Sequence, residues 1–184
     1  MEIRITSKHL LIVLLVLSWI IFVGLCIEAG GLLFNTIYAL AINPVAAKSY
    51  WMKADMSALL AHDRGHFMAQ TFLMIVVAVL KAYLFYLIIK ILHDKKLNMA
   101  QPFNRTVIRF VSFSAYLALF IGFFSFWVGN YAQWLEKQGV NMPDIEQLRA
   151  SGGDVWLFMG VVLLVIAQIF KRGAEIQSEN ELTV

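Results

Sequence analysis

The chain has 184 residues, of which 60% are hydrophobic and 14% aromatic, and only 15% are charged. Soluble domains carry about 25% charged residues, and their apolar positions alternate with polar ones, whereas here they gather in long blocks. That excludes an ordinary soluble domain, and the single cysteine excludes an intrachain disulfide and a cysteine-based metal cluster.

A membrane-spanning helix needs about 20 mainly apolar residues. Four blocks meet that need: Leu10 to Ile27, extending to Phe34 if one acid is tolerated; Phe67 to Leu92; Val107 to Val128; and Val155 to Phe170, the shortest. The first follows Arg4 and Lys8, as a signal peptide would, but it is long for one and no small-x-small cleavage site follows. It reads as an uncleaved first helix. The expected fold is an all-α membrane protein of four transmembrane helices in one domain, residues 1–184.

The basic residues set the expected orientation. With Lys81 set aside, one side holds Arg4, Lys8, Lys90, Lys95, Lys96, Arg105, Arg109, Lys171 and Arg172, and the other holds Lys48, Lys53, Arg64, Lys137 and Arg149. The richer side belongs in the cytoplasm, so both termini and the loop at 93–105 are expected there. This asymmetry accounts for the formal net charge of +3, which therefore gives no reason to expect direct nucleic-acid binding.

The segments at 35–66 and 131–153 are then extracytoplasmic loops. In the first, Asn43-Pro44 signals a turn, and Trp51, Met52, Met56, Leu59 and Leu60 recur near helical spacing. A short amphipathic helix at the membrane surface is expected, with Trp51 at headgroup depth. In the second, Pro143 and Asp144 open another short helix that ends at Ser151-Gly152-Gly153.

Two ionisable residues fall inside the apolar blocks. A lysine at a bilayer centre costs roughly 2.5–3.5 kcal/mol, so intramembrane charges are partnered or functional. Lys81 interrupts the second block and Glu28 the outer part of the first. Gly24 and Gly31 share a helical side with Glu28, which points that side toward protein. Counted from the inner edges of their blocks, Glu28 stands roughly 9 Å above Lys81, a gap that tilt or a water would close. The expected arrangement is a Glu28–Lys81 ion pair locking the first helix to the second; the alternative is a substrate or proton site in a small transporter.

Little else bears chemistry. His62 and His66 lie four apart, a weak metal pattern with Gly65 between them, and neither a zinc-protease signature nor a nucleophile elbow is present. No cofactor, metal site or enzymatic activity is expected.

The C-terminal stretch IFKRGAEIQSENELTV reads as a helix end near Phe170 followed by an acidic cytoplasmic tail, 171–184. It resembles the tail of the bacterial domain-of-unknown-function (DUF) family 2975, matching at Phe170, Gly173, Glu175, Gln177, Glu179, Asn180, Leu182, Thr183 and Val184, with Glu181 where the family usually has Asp. The QPFNRTVIRF stretch looks like the family's Pro-Phe before the third helix, and GLCIEAGG is similar to a variant of its first, so the resemblance extends over essentially the whole chain. It implies no known biochemical activity. It does imply, by analogy with neighbouring genes, a membrane partner of a small cytoplasmic Xre-type helix-turn-helix transcription regulator. Glu175, Ile176, Glu179, Glu181, Leu182 and Val184 would then be the partner-facing residues.

Overall fold

The computed structural model describes residues 7–93 and 104–181. The described residues are mostly helical with no strand among them, and four helices are long and apolar enough to cross a membrane. In chain order they are α1 (Ser7–Ala41), a 3₁₀ helix (Pro44–Ser49), the short α2 (Ser57–His62), α3 (Arg64–His93), α4 (Arg105–Lys137) and α5 (Gly153–Glu181).

Local chemistry accounts for the helix starts. Asn43 accepts a hydrogen bond from the Val45 N–H at 3.0 Å, and Pro44 supplies the first 3₁₀ position without losing a needed donor. Asp63 accepts from the His66 N–H at 2.8 Å at the head of α3, and Asn104 accepts from the Val107 N–H at 2.9 Å at the head of α4. The Asp63 carboxyl is held below its usual range, first by that backbone N–H.

The long helices pack in a row, α1 on α3, α3 on α4 and α4 on α5, and α1 and α5 do not meet one another. Only 6% of the most apolar window of α1 is buried against protein, which leaves its Leu, Ile and Val side chains for lipid. The protein core lies toward the loop-bearing end. There Leu32, Tyr50, Met56, Leu59, Phe67, Ile121, Val128, Leu135 and Leu148 are fully or almost fully buried.

That end differs in detail from the expected loop helices. Trp51 to Ala54 forms a tight turn, with Met52 and Lys53 in the left-handed region, and α2 begins only at Ser57. Met56 and Leu59 are buried in the core, so the segment is a packed cap and not a helix resting on the membrane surface. The Trp51 ring lies so close to Gly31 of α1 that a Cβ there would overlap it. Gly31 therefore serves the cap, while a Cβ at Gly24 would meet nothing within 4 Å.

No helix forms between Pro143 and Gly152. Residues 138–152 instead fold back along α4, where Ile145 packs on Gly129, and α5 starts beside the middle of α4. A Cβ on Gly122 would come within 2.7 Å of Leu157 and 2.9 Å of the Gly153 carbonyl. Gly122 lies roughly 22 Å before the end of α4 at about 1.5 Å per residue. Backbone at such depth must find its hydrogen bonds locally. Leu148 donates to the Asp144 carbonyl at 3.0 Å and Arg149 to that of Glu146 at 3.0 Å.

At its other end α5 does not stop near Phe170. It continues helically to Glu181, supported by an Arg172–Glu175 pair at 3.0 Å.

Candidate functional site

The fold-back delivers Arg149 to the intramembrane charges. Its φ of 59° is in the left-handed region, a conformation a non-glycine residue holds only when its surroundings require it. Arg149 Nη2 donates to Glu28 Oε2 at 2.6 Å, and the Lys81 ammonium donates to the Arg149 backbone carbonyl at 3.2 Å. Three elements distant in sequence thus meet through one residue.

The geometry corrects the expected direct pair. Glu28 takes its hydrogen bond from Arg149, and Lys81 holds the backbone of that same arginine. The expected 9 Å offset also disappears. Phe22 of α1 lies against Tyr86 of α3 with ring centroids 6.3 Å apart, and antiparallel helices advance in opposite directions from that point. Six residues along α1 is Glu28 and six back along α3 is Leu80, so Glu28 and Lys81 come level. Counting depth from the first apolar residue fails because α1, with 35 residues, is about 52 Å long and outruns the bilayer.

Burial is uneven across the cluster. The Glu28 side chain is 10% exposed and that of Arg149 43%. The carboxylate is therefore the group most dependent on its partners, and Arg149 reaches it from the more open side. Lys81 points toward the loop-bearing end because helical side chains lean toward their own N-terminus. With Glu28 and both cations ionised, the cluster carries one positive charge in excess.

Sequence reading missed Arg149, which entered only as one of the loop cations that set orientation. The available signal was the sequence Leu148-Arg149-Ala150, a cation between apolar neighbours just before Ser151-Gly152-Gly153.

The two histidines are placed differently. Their rings stack with centroids 6.0 Å apart, and His66 Nδ1 shares a 2.6 Å hydrogen bond with the Tyr131 hydroxyl. Its ring also packs edge-on against Trp134, fastening the head of α3 to α4.

Of the expected tail residues, Glu175, Ile176, Glu179 and Glu181 lie on the extension of α5, and Ile176 is exposed. Leu182 and Val184 lie outside the described residues, as do Lys95 and Lys96. Arg105, Arg109, Lys171, Glu175 and Ser178 line a cleft of about 390 Å³ between the start of α4 and the end of α5.

A family model described as "Protein of unknown function (DUF2975)" matches residues 41–184. The match includes Lys81, Arg149 and the tail, and leaves out most of α1 with Glu28, a narrower reach than the resemblance had suggested. No curated protein and no solved structure matches the chain.

Proposed function

The chain belongs to the DUF2975 family of proteins of unknown function, and on that premise we propose that it is a non-enzymatic regulatory protein of the bacterial cytoplasmic membrane, with both termini in the cytoplasm. Its partner is a small cytoplasmic helix-turn-helix transcription regulator of the Xre type, engaged by the C-terminal extension of α5. One observation carries this reading. α5 is a single helix that starts four residues after Arg149, beside the charged cluster, and ends at Glu181 on the opposite side. A rigid helix of this kind links the fold-back and the partner-facing surface, so a displacement of Arg149 from Glu28 moves both ends together.

The tail suits such a partner. Ile176 is an exposed apolar anchor, and exposed ion pairs around it contribute only about 0–1 kcal/mol each, so apolar contacts must supply most of the affinity. The test is deletion of Glu179 to Val184 in the native host. Membrane insertion and thermal stability stay unchanged, while regulator capture from detergent extract and target transcription change. If neither regulator capture nor transcription responds, the regulatory reading is wrong.

The excess cation supports a second reading, a small transporter or channel using Glu28 and Lys81 together with Arg149. Purified protein in proteoliposomes decides it: anion or proton flux abolished by Glu28→Gln, with stability retained, favours transport over regulation.

A further inference from the structure

We propose that the cleft between α3 and α4 at the end opposite the loop cap is a binding site for one anionic phospholipid. The cleft has a volume of about 540 Å³, within the roughly 300–1,000 Å³ of small-molecule sites. Its walls are apolar and aromatic, from Leu87, Ile91, Phe110 and Phe113 among others, and its mouth carries Lys90 and Arg109. Among the described residues no acidic side chain lines it.

Depth fits the occupant. Tyr83 and Phe113 meet edge to face with centroids 6.1 Å apart, which fixes the antiparallel register of the two helices. Lys90 is about one turn from the end of α3 and Arg109 about one turn into α4, so both cations stand at headgroup level on the same end. Tyr83 and Tyr116 lie roughly 10 Å deeper, where acyl chains begin. Both cations are exposed, and neither is in an ion pair among the described residues. The side chains of Thr106 and Ser112 add hydroxyl donors for phosphate oxygens.

Charge complementarity selects the lipid class. Basic pockets between membrane helices hold anionic headgroups, and a zwitterionic headgroup brings its own ammonium against Lys90 and Arg109. The apolar walls require attached chains, which a free phosphate lacks. Arg105 is the control: it lines the neighbouring cleft by α5 but not this one.

The site is independent of the regulatory reading. The experiment titrates phosphatidylglycerol or phosphatidylethanolamine into delipidated full-length protein in detergent, read by native mass spectrometry. Phosphatidylglycerol binds one per chain and more tightly than phosphatidylethanolamine. Lys90→Gln with Arg109→Gln weakens it by about 30-fold, the product of roughly fivefold for each surface cation removed. Arg105→Gln has a smaller effect, and glycerol phosphate does not compete. Should the double variant fold poorly, Tyr116→Trp narrows the apolar end, keeps both charges and still lowers binding. Equal binding of the two lipids, an unchanged affinity in the double variant, an equal loss in Arg105→Gln, or competition by glycerol phosphate overturns the proposal.

Discussion

Arg149 binds Glu28 across 121 positions of sequence, with its Nη2 2.6 Å from the carboxylate, while its own carbonyl is held by Lys81. Arg149 therefore stands between the acid and the lysine, its guanidinium on one and its carbonyl on the other. A left-handed backbone, worth roughly 1–3 kcal/mol of strain at a non-glycine residue, is maintained by those two contacts.

Loss of either cation alone leaves Glu28 with the other. Arg149→Gln and Lys81→Met each lower stability by about 1–2 kcal/mol, discounted from the roughly 3–5 kcal/mol of a buried pair because the Arg149 side chain is 43% exposed. Together they cost more than their sum, since the buried carboxylate then has no cation. Adding Glu28→Gln to the double variant restores part of the loss. Chemical denaturation in micelles measures all four, and strict additivity would show that the three groups do not act as one.

Gly31 and Gly24 respond differently to the same substitution. A methyl at Gly31 collides with the Trp51 ring, so Gly31→Ala costs about 1–3 kcal/mol. Gly24→Ala stays within about 0.5 kcal/mol, because nothing lies near its Cβ. Trp51→Ala relieves the first clash, making that pair less than additive. Equal melting temperatures for the two alanine variants would contradict the cap packing.

Tyr50 predicts an alkaline weakness. Its hydroxyl donates to the Leu32 carbonyl at 3.0 Å and shares a 2.6 Å hydrogen bond with Thr36, and burial pushes its pKa up to about 12. A raised folded pKa means the folded protein holds the proton more tightly. The contribution is fully present below the unfolded value of about 10 and is lost as pH rises through about 12. Tyr50→Phe is less stable by about 1–2 kcal/mol at pH 8 for want of its hydrogen bonds, and the gap to wild type narrows above pH 10. A gap that widens with pH would show that the hydroxyl is not held neutral.

Orientation is open to a direct check. From the asymmetry of basic residues, Val184 and the segment near Lys95 are expected in the cytoplasm. Reporter fusions at both positions are expected to give cytoplasmic signals, and a periplasmic signal from either would invert or break the topology.

The sequence by itself determined the four membrane-spanning helices, because transfer of an apolar block into lipid depends only on that block. It determined local starts as well: Asn43-Pro44 and Asn104 act on backbone N–H groups within three residues. Family membership was legible for the same reason, in the tail and the stretch before α4. Only the tertiary structure decided who neutralises Glu28. That choice depends on the register of α1 against α3 and on a connector that doubles back along α4, and neither is encoded in hydrophobic periodicity. The close approach of Trp51 to Gly31 was hidden likewise, since a glycine facing a neighbouring helix and one facing a loop look the same in sequence. The extension of α5 past Phe170 lies between the two cases. Membrane hydropathy stops at Lys171-Arg172, but helical hydrogen bonds continue wherever residues such as Ala174, Glu175 and Gln177 favour them. A membrane boundary and a helix end are different physical events, and the charges that mark one do not impose the other.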